Sequence, residues 1–395
     1  MINLLQTKLY AGWQIDNTFS SDGIFTHDNA AGGNSSDMGY GLVIMNDKKI
    51  IIAGTSMGGS EDITIWKINI DGTLDTAFGS GNGFVIFDNV AGGGVGVQDI
   101  ATDVALQTDS KIIVTGYSTG SNQYDLIVMR LNFDGSLDTS FGGGDGIFIH
   151  NNAAGGNGQD KGNAIYIQSD SKILIVGSSD GSGTAADLAV WRLTTNGTLD
   201  MSFGGGDGIF TQNGAAGGNG NDAGNAIIMQ TDQKILITGY SVNSSGNSDM
   251  TVWRLNNDGT SDNTFNASGY FFHNNAAGGN GWDIGYSINI TNDSKIYISG
   301  NSAGSGSGTD MTIWKVNQNG SLDVAFDGDG FYTHNGAAGG NANDVGNKLI
   351  YYDSCLIVVG TSFDGSNNRM VIWKFDKNSL LDTSVFLQEF MCLAL

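Results

Sequence analysis

One phrase, Leu-Asp-x-x-Phe with small changes, recurs along nearly the whole chain of 395 residues, and this repetition constrains the fold more than any other feature. The successive spacings are 59, 63, 62, 62, 61 and 59 residues. The aspartates of the phrase are Asp16, Asp75, Asp138, Asp200, Asp262, Asp323 and Asp382. Such a period is typical of repeat architectures, in which each unit buries its apolar surface against its neighbours.

Each repeat contains four short runs that are apolar or alternate between apolar and polar residues. In one repeat they are Asn163–Gln168, Lys172–Gly177, Asp187–Leu193 and Ile209–Gln212, and Gly, Asn, Asp or Ser residues bound each run. These are strand and turn signals, and no segment holds a 3.6-residue apolar period long enough for a helix. Four antiparallel strands make one propeller blade, so the sequence predicts an all-β, six-bladed β-propeller of four-stranded antiparallel blades.

The second run of each repeat is apolar on both faces, which is expected when every blade is covered by a blade on each side. The third run carries a large apolar residue at one position: Trp66, Met129, Trp191, Trp253, Trp314 and Trp373. A large side chain at a repeated position favours packing between blades. An aromatic box that stacks on a ligand is the alternative.

The two ends of the sequence predict how the ring closes. Residues 23–27 match the fourth strand of other repeats, and the sixth repeat stops resembling a full fourth strand after Leu381. We therefore expect a single domain over residues 1–395, in which the N-terminal strand near 23–27 completes the last blade and covers its open edge. The tail at 385–395 begins with Val385–Phe390, which competes for the same edge.

The charge of the chain limits its partners. The chain has 17 Lys and Arg residues and 40 Asp and Glu residues, so the formal net charge is −23. Such a protein repels phosphate backbones and anionic lipid surfaces, which disfavours nucleic acid and membrane partners, whereas cations are attracted. No apolar run approaches the length of a membrane span, and the N-terminus makes no convincing signal peptide. Cys355 and Cys392 do not form a disulfide framework.

Two segments resemble the bacterial delta-60 repeat: the run from Asp134 to Gly146, Asp-Gly-Ser-Leu-Asp-Thr-Ser-Phe-Gly-Gly-Gly-Asp-Gly, and the run from Ala105 to Gly116, Ala-Leu-Gln-Thr-Asp-Ser-Lys-Ile-Ile-Val-Thr-Gly. The resemblance extends over about residues 15 to 384. It implies a β-propeller unit of the kind found in large secreted or surface proteins, and hence an extracellular or cell-surface location. It implies no shared activity and no catalytic residues.

An aspartate also recurs in the loop before each first strand, within Ala-Ala-Gly-Gly-Asn-x-x-Asp and its variants. These residues are Asp37, Asp99, Asp160, Asp222, Asp283 and Asp344. Six-fold repetition predicts six carboxylates around one mouth of the central channel, where a hard cation is attracted, and calcium is the candidate. The alternative is that each carboxylate caps its own loop by accepting hydrogen bonds from backbone N–H groups.

Three residues break the repeat pattern in the loops that share a face with those aspartates. Trp282 stands where other repeats have small or polar residues, Tyr124 precedes Asp125, and Arg369 replaces an aspartate. An exposed aromatic side chain among Asn, Asp and Gly suits stacking on a sugar ring, so these three are the candidate ligand-binding residues. The four histidines occupy one repeated position that also accepts Phe or Gln, which favours a structural role over a catalytic one.

No unique Ser/His/Asp or Cys/His set and no metalloprotease or phosphate-loop motif is present in the sequence. We therefore predict no enzyme but a monomeric binding or scaffold propeller that presents an acidic loop face to a protein or cell-surface partner, together with a cation. A carbohydrate-binding propeller is the alternative. A hydrolase or lyase at the channel mouth is the least favoured.

Overall fold

The computed structural model describes residues 16, 18–32, 36–94, 96–120, 123–183, 185–306, 308–352 and 355–375. Over these residues the chain is built from strands, with a single 3₁₀ turn at Gly79–Gly81. No helix among them is long and apolar enough to cross a membrane. The architecture is the predicted six-bladed β-propeller of antiparallel strands.

The strands group into six sheets that follow the sequence repeat. The first blade holds β1 (Asp37–Ile44), β2 (Ile50–Met57), β3 (Glu61–Ile68) and β4 (Phe84–Phe87). The second holds β5 (Asp99–Leu106), β6 (Ile112–Thr119), β7 (Tyr124–Leu131) and β8 (Ile147–His150). The third holds β9 (Gly155–Ile167), β10 (Ile173–Gly181), β11 (Ala186–Leu193) and β12 (Ile209–Gln212).

The remaining blades continue the same order. The fourth holds β13 (Gly217–Met229), β14 (Ile235–Asn243), β15 (Ser248–Leu255) and β16 (Tyr270–His273). The fifth holds β17 (Gly278–Ile290), β18 (Ile296–Gly304), β19 (Thr309–Val316) and β20 (Phe331–His334). The sixth holds β21 (Asp344–Tyr352), β22 (Cys355–Phe363) and β23 (Asn368–Phe375), so it contributes three strands over the described residues.

The second strand of a blade packs on both neighbours. In β10, Ile173 and Ile175 contribute to a core shared with the second blade, whereas Leu174 and Val176 contribute to a core shared with the fourth. All four side chains are fully buried. Alternation along the strand places successive side chains on opposite faces of the sheet, which explains why this run is apolar throughout.

The repeated tryptophans belong to these cores, so packing between blades is confirmed for them. Trp191, Trp253, Trp314 and Trp373 are fully buried. In three blades the indole N–H donates to Nδ1 of a histidine that lies just before that blade in the sequence. The pairs are Trp66 to His27 at 3.3 Å, Trp191 to His150 at 3.3 Å, and Trp314 to His273 at 3.2 Å. These three histidines therefore have a structural partner, whereas Nδ1 of His334 and the indole N–H of Trp373 make no such bond with the described residues.

The aspartate of the Leu-Asp-x-x-Phe phrase anchors two cations. Asp200 binds Arg192 Nε at 2.8 Å and Lys172 Nζ at 3.0 Å. The Arg192 guanidinium also lies 4.6 Å from the centre of the Phe203 ring and donates to the backbone carbonyl of Asn257 in the next blade. Partial burial raises the pKa of Asp200, but the hydrogen bonds from Ser202 and Lys172 and the charge of Arg192 outweigh it and hold that pKa well below its usual range.

The predicted closing strand is not formed in this structure. Residues 24–29 lie outside the strands, and His27 contacts Trp66 and Phe84 of the first blade. Among the described residues, β23 pairs with β22 alone. Closure of the ring by residues 23–27 therefore stays a prediction, and the tail at 385–395 lies outside the described residues.

Candidate functional site

We define the loop face as the side of the propeller that carries the connections from second to third strands and from one blade to the next. The turn face is the opposite side, with the Leu-Asp-x-x-Phe turns. Because strands alternate in direction within a blade, both kinds of loop connection lie on one side. The six loop aspartates, Trp282, Tyr124 and Arg369 all belong to the loop face.

Each of the six loop aspartates accepts a backbone N–H from its own loop. Asp160 accepts from Asn152 at 2.8 Å and from Ala153 at 3.1 Å. The other five accept from Asn29, Asn89, Gly214, Asn275 and Gly336, at 2.6 to 3.0 Å. Asp99, Asp160, Asp222, Asp283 and Asp344 are fully buried. This is the capping arrangement that the sequence offered as the alternative to a cation ring.

The structure does not bring the six carboxylates together. Within the described ranges, one group of three carboxylates could hold a metal ion, and it contains Asp99 but none of the other five. Its other members are Asp62 and Asp88, and the three ligand atoms lie within 4.8 Å of one another. Calcium bound by a six-membered ring therefore stays a prediction that the observed geometry does not support.

The three-carboxylate group arises from one change in a repeated junction. At each of the first five junctions between blades, an aspartate at the start of the third strand lies near the loop aspartate of the next blade. Asn213 donates to Asp187 at 2.7 Å, and Asn335 donates to Asp310 at 2.6 Å. At the first junction Asp88 takes the place of that asparagine. Oxygen ligands of this kind suit Ca²⁺.

Burial and mutual repulsion raise the pKa values of several carboxyl groups on the loop face. Burial, together with repulsion from Asp88 and Asp99, raises the pKa of Asp62. Burial raises the pKa of Asp222 and of Asp283 to about 6 each, with smaller repulsive contributions from Asp187 and Asp249. The loop face therefore gains negative charge as the pH rises towards neutrality.

Trp282 projects into solvent from β17. Its side chain is 62% exposed. At the equivalent position of two other blades, Asn221 accepts the N–H of Ala186 at 3.0 Å and Asn343 accepts the N–H of Thr309 at 3.2 Å. A tryptophan cannot accept those bonds, so its exposed ring contributes to the surface in place of a link between blades.

Tyr124 lies in a cluster that the sequence did not predict. Its ring meets that of Tyr117 edge to face at 4.9 Å, and Lys161 Nζ lies 4.6 Å from the Tyr124 centroid and 5.0 Å from the Tyr117 centroid. The Tyr124 hydroxyl donates to Gln98, which donates to Glu61 at 2.8 Å. Three blades contribute to this cluster, so no local motif could have revealed it. Burial lowers the pKa of Lys161.

Arg369 is exposed at the start of β23 and pairs with Asp364 at 2.5 Å. Trp282, Tyr124 and Arg369 thus lie on the fifth, second and sixth blades. The structure does not assemble the three predicted ligand-binding residues into one pocket. They mark separate points around the loop face.

The fold and the repeated junctions define a six-bladed repeat β-propeller. Five segments match the family model described as "Domain of unknown function (DUF5122) beta-propeller", at residues 46–78, 107–141, 168–203, 230–265 and 291–326. The match supports membership of a repeat β-propeller family. No curated protein matches the sequence.

Solved structures that match this chain share little sequence with it and have TM-scores below 0.5. A protein of unknown function from Dyadobacter fermentans is 10% identical, with a TM-score of 0.47 over 85% of this chain and 93% of its own. A mutant α-L-arabinofuranosidase from Fusarium graminearum, in complex with an iminosugar inhibitor, is 9% identical, with a TM-score of 0.46 over 86% and 92%. Drosophila Plexin A in complex with Semaphorin 1b is 9% identical, with a TM-score of 0.39 over 87% and 81%.

Proposed function

We propose that this protein is a non-enzymatic binding propeller whose loop face contacts a basic region of a protein or cell-surface partner. The observation that carries the proposal is the exposed ring of Trp282 on a face where acidic side chains recur at the blade junctions. Exposed tryptophans are enriched among residues that dominate binding energy. Surrounding carboxylates steer and select a cationic partner.

Charge supports the same assignment. The protein carries a formal net charge of −23, and at the first junction Asp62, Asp88 and Asp99 place three carboxylates within 4.8 Å of one another. Asp88 is the exposed member of this group, and a Lys or Arg side chain that pairs with it would relieve the repulsion that Asp88 adds to the effect of burial on the pKa of Asp62. Electrostatic attraction of this type weakens as salt screens the charges.

Glycan binding is a second candidate, and Trp282 favours it too. An indole ring provides an apolar face for a sugar ring, and Asn247 donates to the backbone of Asn280 beside it at 2.8 Å. Amide and carboxylate groups in these loops offer hydrogen bonds to hydroxyl groups. The two candidates differ in their dependence on charge, because binding of a neutral glycan does not weaken with added salt.

An array experiment tests both candidates. The labelled protein is applied to arrays of lysine- and arginine-rich peptides and of neutral glycans, and the same arrays are repeated with Trp282→Ala and Met201→Ala. Met201 is a matched control because it is 63% exposed but lies on the turn face. We expect Trp282→Ala to weaken peptide binding at least tenfold and Met201→Ala to leave it unchanged.

The outcomes of the array experiment distinguish binding of a basic protein partner from binding of a glycan. Salt-sensitive peptide binding that depends on Trp282 supports the proposal. Salt-insensitive glycan binding that depends on Trp282 supports the second candidate instead. If both variants lose binding equally, or if neither variant changes binding, the loop face is not the binding surface.

A further inference from the structure

The five observed interfaces between consecutive blades use the same positions. From the following blade, one apolar side chain of the first strand packs onto the preceding blade and is 2–8% exposed. These side chains are Val104, Ile165, Ile227, Ile288 and Leu349. The equivalent residue of the first blade is Leu42, which is 60% exposed. The first blade therefore shows an uncovered face that has the composition of a blade interface.

The sixth blade shows the complementary face. Val359, Met370 and Ile372 are 39%, 73% and 47% exposed. The equivalent side chains of the other five blades are fully buried against the next blade, as Val176, Leu188 and Val190 are in the third. The two uncovered faces thus correspond to the two surfaces that meet at each of the five observed interfaces.

The N-terminal segment already holds the position of a preceding blade. His27 accepts from Trp66 as His150 of the second blade accepts from Trp191 of the third. The N–H of Ser20, directly after the Phe of the repeated phrase, donates to Asp71 of the first blade at 2.6 Å, as Gly79 donates to Asp134 at 2.9 Å. Residues 18–27 therefore correspond to the last part of a blade that lies before the first, and the described sixth blade lacks that part.

Charge distinguishes this junction from the other five. At the first junction Asp62, Asp88 and Asp99 bring three carboxylates within 4.8 Å. The residues at the corresponding positions of a junction between the sixth and first blades are Arg369, Asp28 and Asp37. A guanidinium thus replaces one of three carboxylates, which makes this junction attractive where the first is repulsive.

We infer that the first blade of the same chain covers the sixth, with residues 24–27 as the fourth strand of the sixth blade and Arg369 between Asp28 and Asp37. Leu42 then packs on Val359, Met370 and Ile372 as its equivalents do elsewhere. Arg369, which is exposed in its pair with Asp364, exchanges that partner for two carboxylates of the N-terminal region. Its role is to select the correct closing partner, because no other blade offers a cation at that position.

A disulfide experiment tests the inference. In the full chain with Cys355→Ser and Cys392→Ser, the pair Arg369→Cys and Asp28→Cys is oxidised and examined on a non-reducing gel. The matched control is Asp187→Cys with Asn213→Cys, the same two positions in the third blade, whose native side chains are 2.7 Å apart. We expect both pairs to form a disulfide within one chain, to a similar extent.

Two results overturn the inference: disulfides between chains, which place a second copy on the exposed face, or no disulfide when the control pair forms one. The charge arrangement is tested separately by thermal unfolding. We expect Arg369→Glu to lower the melting temperature more than Asp364→Asn, and Asp28→Arg to restore it in the Arg369→Glu background. Equal effects of Arg369→Glu and Asp364→Asn, without rescue, contradict the assigned role of Arg369.

Discussion

The indole N–H of Trp191 donates a hydrogen bond to Nδ1 of His150, 3.3 Å away, across the boundary between the third and second blades. The pair repeats as Trp66 with His27 and Trp314 with His273. Where Met129 stands in place of the tryptophan, the partner position holds Phe87. In these three pairs the buried N–H has an acceptor, whereas a thioether has no N–H that needs one. The indole N–H groups of Trp253, beside Gln212, and of Trp373, beside His334, make no hydrogen bond with the described residues.

This relationship predicts acid sensitivity. Burial lowers the pKa of His150 and of His273, so between that folded value and the unfolded value near 6.5 the unfolded chain binds more protons. Stability contributed by the neutral rings is therefore lost as the pH falls below about 6.5. We expect His150→Gln with His273→Gln to flatten this loss in thermal melts from pH 8 to pH 5, because Gln212 already fills the same position beside Trp253. An unchanged pH dependence would contradict this assignment.

The ion cluster around Asp200 predicts a large effect on stability. Asp200→Asn leaves the buried Arg192 guanidinium without its carboxylate, and breaking such a pair costs about 3–5 kcal/mol. Arg192→Lys is the matched control, because Lys67 and Lys315 occupy this position in other blades and bind the corresponding aspartates. We expect urea denaturation to show a loss for Asp200→Asn that is several times the loss for Arg192→Lys. Similar losses would indicate that the pairing contributes little.

The capping role of Asp160 predicts a cost that does not depend on metal. Asp160→Ala removes the acceptor of the N–H groups of Asn152 and Ala153, which are not fully buried, and the loss of such a hydrogen bond costs about 0.5–1.5 kcal/mol each. We expect the same drop in melting temperature after chelation and with added calcium. A drop that appears with calcium alone would favour the cation ring that the sequence suggested.

Asp222 and Asp283 predict the opposite pH dependence to the histidines. Their folded pKa of about 6 lies above the ordinary value of 3.8, so the folded protein binds more protons between these values. The free energy of unfolding contributed by these groups therefore decreases as the pH rises from about 4 to 6. Asp222→Asn with Asp283→Asn should remove this decrease, so the melting temperature of the variant relative to that of the native protein should rise between pH 4.5 and pH 7. A constant difference would show that the carboxyls titrate normally.

The repeat period and the strand pattern were enough to predict the blades, because each blade repeats one local arrangement. The buried tryptophans and the capping aspartates follow from the same repetition. Side chains that meet across blades could not be predicted, as the Tyr124 cluster shows, since residues from three blades converge there. Asp88 was also missed, because its effect depends on Asp62 and Asp99, which are distant in sequence.

Arg369 departs from the repeat in a way that supports two interpretations. A residue that departs from the pattern on the loop face indicates a ligand site when the loops are considered alone. In the ring closure that we propose, the same departure falls at the junction of the sixth and first blades, at the position that pairs with Asp28 and Asp37. Ligand binding and pairing between two particular blades are thus the two roles to test for Arg369.

We propose that the loop face is the binding surface of this protein. Hydrogen–deuterium exchange of the native protein, with and without the tightest ligand from the peptide and glycan arrays, tests it most directly. We predict protection in the loop at 243–249 and around Trp282, and unchanged exchange in the turn at 199–208. Protection confined to the turn at 199–208 would contradict the claim.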